Sequence, residues 1–399
     1  MSKKTHICFF TGKRGGFSHL VPILKKIKES DKLECSIVAS DMHLSNIFGN
    51  TISQVEDHAE NVYRIDTMLS SDSKVSRAKS IGIGIIGISQ LLDRIKPDLV
   101  FVLGDRGEVL AMVISAMELN IPIAHLFGGD ITQGGVDEPI RHAITKMANI
   151  HFASNKDSAG RIIKLGEDPS MVHNVGSPIL DRISQGEFTP ADTVREKFSL
   201  DIEKPMLILL QHSVTWQVED AEYQIQQTME AINALEYQTI AIYPCSDPGY
   251  GDVINTLHKY EDRPYLQIHK NIESEDFWGL MNIASALIGN SSAGIMETAS
   301  FKLPFVNIGI RQEGRLRADN VIDVGHDKEQ IIKAIKTAIF DESFKKRVED
   351  CISPYGDGQS SDRIVKLLSE IEINKELIKK KMTFLPGSEA RIPETYSKR

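Results

Sequence analysis

The chain has 399 residues, with 46 basic against 55 acidic side chains and a net charge of -9. That length exceeds one ordinary core and suits two α/β domains, while the acidic balance excludes a general attraction to nucleic acid or anionic lipid, so any phosphate must be held locally. Cys8, Cys35, Cys245 and Cys351 lack paired or CxxC spacing, the first apolar run (7–10) is too short for a secretory leader, and no run approaches the roughly 18 residues of a membrane span; a metal-free protein of the reduced cytoplasm is the expectation.

Taken in chain order, strand-like and helix-like segments alternate throughout, which predicts parallel sheets covered by helices on both faces. The first strand, 7–11, runs into Thr11-Gly-Lys-Arg-Gly-Gly-Phe-Ser18. Its glycines permit a tight turn, and Arg14 presents a cationic fork at the carboxyl end of the sheet, where an anionic ligand is expected unless the turn is a plain solvated loop. The spacing does not fit the P-loop pattern. After a second strand at 35–39, Gly82-Ile-Gly-Ile-Ile-Gly87 matches the GxGxxG dinucleotide fingerprint, yet it follows the polar run 76–80 rather than a strand. That context argues against a bound dinucleotide and for the start of an apolar helix packed closely on a neighbour.

The strand 99–103 ends in Gly104-Asp-Arg-Gly-Glu108, and the strand 121–126 ends in Gly128-Gly-Asp130, so Asp105, Arg106 and Asp130 fall at the sheet edge where open α/β folds bind ligands. Asp137-Glu-Pro-Ile-Arg-His142 then opens a helix, with Pro139 suited to its first turn. Asp137 reads as an N-cap there, and His142 as either a packed helix residue or a site residue. Strands at 150–153 and 172–175 complete a first domain, residues 1–176. Residues 177–205, with three prolines and mixed charge, form the expected junction.

The second domain, residues 206–360, has expected strands at 206–211, 239–243, 266–268, 286–288, 305–308 and 321–324. His212 ends the first of these, where its imidazole can touch a phosphate or pass a proton. The segment Gly289-Asn-Ser-Ser-Ala-Gly-Ile-Met-Glu297 is the most informative of the chain. Ser291 and Ser292 sit at a strand-to-helix turn suited to a diphosphate, and Glu297 follows where a carboxylate can accept both ribose hydroxyls; the alternative is that Asn290 or a serine only caps the helix. Arg311, Arg315 and Arg317 follow the strand 305–308 as candidate anion partners, or for the last two as a solvated basic loop. A closing helix is expected over 361–381, and a poorly ordered tail over 382–399.

The segments GKRGGFSHL, GDRGE, GGDITQGGVDEPIRHAITKMANIHF, QHSVT, GNSSAGIMETASFKLPFVNIG and RQEGRLRADNV occur in an order that resembles the hydrolysing UDP-N-acetylglucosamine 2-epimerases over about residues 5 to 370. The resemblance implies a GT-B-like α/β fold of two Rossmann-like, doubly wound parallel-sheet domains facing a cleft, with a UDP-sugar substrate, no cofactor and a homodimer or homotetramer. It implies UDP contacts at Arg14, Ser18, His212, Ser291, Ser292, Glu297 and Arg311, and sugar or acid–base positions at Asp105, Arg106, Asp130, Glu138 and His142. Two departures stand out: Ser213 replaces the proline usual in QHSVT, and Asp130 replaces a glutamate common in relatives.

The implied activity is release of UDP and N-acetylmannosamine from UDP-N-acetylglucosamine, for sialic acid synthesis. A sister group does the same chemistry on UDP-N,N'-diacetylbacillosamine for legionaminic acid. The C2 proton of the sugar becomes removable only as the C1–O bond to UDP breaks, so cations and N–H groups must hold the leaving diphosphate. Carboxylates must stabilise the oxocarbenium-like ring and move protons. Asp105, Asp130, Glu138 and His212 are the expected catalytic group, with base and acid unassigned among the carboxylates. A GT-B glycosyltransferase and a non-catalytic UDP-sugar sensor are the competing readings. The apolar stretch 81–92 is either an interface between subunits or buried within one chain.

Overall fold

A computed structural model describes residues 3–69 and 71–383. Seven parallel strands form the first sheet: β1 (Thr5–Thr11), β2 (Leu33–Ser40), β3 (Val62–Ile65), β4 (Leu99–Leu103), β5 (Ile123–Leu126), β6 (Ile150–Ala153) and β7 (Val172–Asn174), in the order β3-β2-β1-β4-β5-β6-β7. Six more form the second: β8 (Met206–Leu210), β9 (Gln238–Ile242), β10 (Leu266–His269), β11 (Ala286–Gly289), β12 (Phe305–Ile308) and β13 (Val321–Val324), in the order β10-β9-β8-β11-β12-β13. The central strands are near-continuous apolar runs because helices cover both faces; Ile7, Cys8, Phe9, Leu207, Ile208, Leu287 and Ile288 are fully buried.

The order of each sheet reverses once, at β1/β4 and at β8/β11. At such a switch point the loops leaving two neighbouring strands diverge to opposite faces and leave a crevice at their carboxyl ends. The loops after β1, β4, β8 and β11 are those that carry Arg14, Asp105, His212 and Ser291, and the two crevices face one another. The sheet topology thus collects residues that lie far apart in sequence.

Three local expectations change. The strand β3 escapes a reading by apolar runs because Val62-Tyr-Arg-Ile65 is a short edge strand with Arg64 exposed. Gly82-Ile-Gly-Ile-Ile-Gly87 lies inside the long helix Lys74–Ile95, not at its start, and serves packing: a Cβ on Gly84 would come within 3.1 Å of Ala111, and one on Gly87 within 3.0 Å of Ile65. The closing helix is two, Ser360–Glu370 and Lys375–Ile378, because the Asn374 side chain accepts from the N–H groups of Glu376 and Leu377 and starts a new turn.

Residues 177–205 fold into the short helices Ile179–Ser184 and Ala191–Lys197. Asp181 in the first accepts the N–H groups of Ser360 and Ser361 at 2.9 and 2.6 Å, which caps the helix that returns the chain to the first domain. Lys26 pairs with Asp362 of that helix at 2.6 Å. Of the tail, Thr383 donates to Gly166 and Glu167; residues 384–399 lie outside the described residues. No helix among the described residues is long and apolar enough to cross a membrane.

Candidate active site

The cleft between the two switch points spans about 1580 Å³, the open solvent at its mouth included. Its wall in the second domain begins where β11 stops. Gly289 has φ +127°, and a Cβ there would lie 2.2 Å from the Leu210 carbonyl, so only glycine lets the strand end against β8. Asn290 is not a helix cap: its amide staples the two loops by accepting His212 N–H at 2.7 Å and donating to His212 O at 2.8 Å. Ser291 and Ser292 follow, lining the cleft. The helix expected beyond them is only one turn, Ala293–Met296, continued by the 3-10 turn Thr298–Phe301. Glu297 falls at the joint between the two, and its carboxylate points back into the cleft, accepting Trp278 Nε1–H at 2.8 Å. Burial pushes this carboxyl up to about 7, with the indole N–H opposing.

His212 Nδ1 accepts the Cys245 N–H at 2.9 Å. Burial, with Arg311 beside it, lowers the ring well below its usual range. The imidazole is therefore neutral with its proton on Nε2, which suits it to donate to an anion rather than to act as a base. Arg311 Nη1 donates to Asn290 O at 3.2 Å and Nη2 pairs with Asp247 at 3.3 Å.

The opposite wall comes from the first domain. Arg14 lines the cleft but donates across it, to Asn271 Oδ1 at 3.0 Å, to Tyr243 O at 3.2 Å and to Lys270 O, with Phe48 O at 3.2 Å on its own side. Burial lowers it to about 10, so it stays charged with no carboxylate bonded to it. Ser18 likewise meets Ser274 of the other domain, Oγ to Oγ at 2.5 Å. Asp105 and Asp137 both line the cleft, and their surroundings drive them apart. Burial alone would raise Asp105, but Arg141, Lys13 and Arg315 outweigh it and hold the carboxyl well below its ordinary range. Burial, together with the carboxylates of Asp105 and Asp247, pushes Asp137 up to about 6.

Four expected site residues do not line the cleft, although they lie in the shell around it. Arg106 is buried and bonded to Glu108, Asp247 and Ser246. Asp130 Oδ1 accepts the hydroxyls of Ser154 and Ser158, both at 2.6 Å. Glu138 accepts Thr132 N–H at 2.6 Å and Arg141 Nη1 at 2.9 Å, and its other oxygen meets His142 Nε2 at 3.0 Å. Arg106 and Glu138 thus have their polar atoms engaged by protein groups, whereas Asp130 Oδ2 and His142 Nδ1 are buried without a hydrogen-bond partner.

The cleft also holds residues that the sequence reading missed or discounted: Lys13, Asp137, Asp247, Gln312 and Arg315. Arg315 is no solvated loop residue, since its side chain is 8% exposed with Nη2 at 3.6 Å from Asp130. Arg317 does lie outside, paired with Asp323. Behind the wall, the fully buried Arg141 binds Asp105, Thr132 Oγ1 at 2.7 Å and Asp130 O at 3.0 Å, as well as Glu138. The available signal for Asp137 was its place at a helix start, but the capping role expected there is not found: Asp137 is the first residue of the helix Asp137–Met147, the cap position is Val136, and no side-chain capping bond is made. Among the described residues no group of three or more His, Cys, Asp or Glu is arranged to hold a metal ion.

This geometry agrees with comparisons to known proteins. The chain is 34% identical to the UDP-N,N'-diacetylbacillosamine 2-epimerase (hydrolyzing) of Legionella pneumophila, over 94% of this chain and 98% of that one. It is 32% identical to the GDP/UDP-N,N'-diacetylbacillosamine 2-epimerase (hydrolyzing) of Campylobacter jejuni, over 81% and 85%. The crystal structure of UDP-GlcNAc 2-epimerase from Neisseria meningitidis bound to UDP-GlcNAc superposes with a TM-score of 0.76 at 17% identity, over 91% of this chain and 99% of that one, which shows a shared GT-B-like fold. The family described as UDP-N-acetylglucosamine 2-epimerase matches residues 25–369, and the chain belongs to that family.

Proposed function

We propose that this protein is a hydrolysing 2-epimerase of UDP-N,N'-diacetylbacillosamine, releasing UDP and the 2-epimeric 2,4-diacetamido-2,4,6-trideoxy sugar. The observation that carries the chemistry is the pair Asp105 and Asp137, one held ionised and one raised to about 6, facing a wall of anion donors across one cleft. Two carboxyls whose surroundings push them apart are suited to different tasks. The substrate is supported by the names of the relatives at 34% and 32% identity. Leu103, Phe127, Met42 and Ile179, which line the cleft, suit a deoxy carbon better than a hydroxymethyl group.

In this reading Glu297 accepts the ribose hydroxyls, while Ser291, Ser292, Arg311 and the Nε2–H of His212 take up charge on the diphosphate as the C1–O bond breaks. Ionised Asp105 stabilises the cationic ring, and Asp137 accepts the C2 proton, giving a glycal. Water then adds at C1 with protonation of the other face of C2. Arg14 and Ser18 hold the two walls together over the nucleotide. The four unpaired cysteines support the cytoplasm as the compartment. The exposed Val75, Ile83 and Ile86 on one helix support a homo-oligomer built on that surface; sedimentation as a monomer at micromolar concentration would remove it.

Proton NMR in deuterated water tests the reading, with UDP-N,N'-diacetylbacillosamine and UDP-N-acetylglucosamine supplied side by side. The expected result is UDP and a free 2-epimer deuterated at C2 from the first substrate, at a kcat/KM well above that for the second. Preference for UDP-N-acetylglucosamine would move the protein to the sialic acid precursor. Sugar transfer to an acceptor, or binding without product, would replace the reading altogether.

A further inference from the structure

Arg106 fastens the domains together. It is 2% exposed, and its guanidinium reaches Glu108 Oε1 at 2.9 Å in its own domain, then Asp247 Oδ1 at 2.6 Å and Ser246 Oγ at 3.1 Å in the other. Glu108 is shared with Arg77 at 2.6 Å, and Arg77 holds Asp41 at 3.0 Å. Asp41 closes the circuit by accepting the Ser246 hydroxyl at 2.8 Å. The charges alternate in sign, and each domain is balanced by itself: Arg77 and Arg106 against Asp41 and Glu108, Arg311 against Asp247. Neither half of this circuit is left with a net charge when the cleft opens, so the contact between Arg106 and Asp247 can form and break.

Asp247 is the point where this circuit meets the cleft. Its carbonyl accepts the hydroxyl of Ser213, at 3.2 Å, a bond that a proline at that position could not donate. Its Oδ2 accepts the Cys245 thiol at 2.9 Å and has Arg311 only at 3.3 Å, so the shorter ion pair of this carboxylate lies across the domain boundary, on Arg106. Arg311 is left with the longer pair and one carbonyl, and it lines the cleft.

We infer that Arg106 and Asp247 are positioning residues that make Arg311 available to the substrate diphosphate as the domains close, Arg106 drawing the Asp247 carboxylate away from Arg311. Closure and diphosphate binding then favour each other, because both compete for the same pair. The inference rests on the reading above, in which a UDP-sugar occupies the cleft.

Calorimetric titration with UDP tests it, alongside the change in radius of gyration on adding UDP, measured by X-ray scattering. Arg106→Met should weaken UDP binding about tenfold or more, since Asp247 then neutralises Arg311. Adding Asp247→Asn to that variant should restore most of the lost affinity, which a merely structural role for either residue would not do. Asp247→Asn alone should bind UDP within about threefold of the native protein while losing the UDP-induced compaction. A double variant as weak as Arg106→Met overturns the inference. So does an Asp247→Asn protein that loses UDP affinity, whether or not Arg106→Met folds. A native protein that does not bind UDP overturns both this and the proposed function; binding by the native protein with the variants behaving otherwise overturns this alone.

Discussion

The two walls of the cleft were not equally readable. In the second domain, Ser291, Ser292, Glu297, Arg311 and His212 were all expected at the site from the chain alone, and all line the cleft. In the first domain, Asp105, Arg14 and Ser18 line it, while Arg106, Asp130, Glu138 and His142 lie behind it. The difference is one of chemistry. A diphosphate grip is built from donors on contiguous turns at strand ends, so spacing along the chain nearly specifies it. A proton-transfer site is built from carboxyls whose protonation depends on burial and on charges far away in sequence. Several acids near one sheet edge look alike until the structure shows which are already bonded.

The largest expected effect tests that distinction directly. Asp137→Asn should lower turnover roughly 100-fold or more, because it removes the group that takes the C2 proton, while UDP affinity stays near native. In the native protein kcat/KM should fall as pH drops through about 6, as Asp137 becomes protonated. Stability should move the other way. A carboxyl raised in the folded state contributes stability below its unfolded pKa and loses it as pH rises through about 6. Asp137→Asn should therefore unfold later than native at pH 7, by roughly 1–3 kcal/mol, with no difference near pH 4. Retained turnover, or a destabilised variant at pH 7, would remove Asp137 from the proton-transfer step and leave it as an acid at the helix start.

What was legible follows the same line. The alternation of elements and the apolar central strands specified the parallel sheets, while the edge strand β3, the place of Gly82 to Gly87 inside a long helix, the single helical turn after Ser292 and the division of the last helix escaped. The supports escaped more fully. Nothing in the sequence around Arg141 distinguishes it from a solvated helix arginine, yet it is fully buried against Asp105, Thr132, Glu138 and the Asp130 carbonyl. Asp247 belongs to no motif at all. Its role comes from Arg106, 141 positions earlier in the chain, a separation that only the closed cleft removes.

A smaller effect sharpens the reading of the second-domain wall. Glu297→Gln should weaken UDP roughly tenfold, about 1–2 kcal/mol for a buried acceptor replaced on one side, with turnover at saturating substrate little changed. Since burial holds this carboxyl at about 7 and the ribose hydroxyls favour its ionised form, native affinity for UDP should fall as pH drops below that value. Calorimetry across pH 5.5 to 8 would show it. A flat profile in the native protein would mean that the ribose contacts something else.

Asp130→Asn carries the smallest expected effect on chemistry and is the sharpest test of the first-domain wall. Asp130 Oδ1 accepts two buried hydroxyls, from Ser154 and Ser158, and Asn can keep those bonds through its carbonyl oxygen. Its Oδ2 is buried without a hydrogen-bond partner and faces Arg315 at 3.6 Å. An amide there sets an NH2 group against the guanidinium, so the cost falls on packing and on Arg315, at roughly 1–3 kcal/mol of stability. Turnover should stay within a few fold once the protein is folded, and thermal unfolding measured beside kcat separates the two. If turnover instead collapsed with stability intact, Asp130 would be handling a proton after all, and the contrast between a readable grip and an unreadable proton-transfer site would lose its first-domain half.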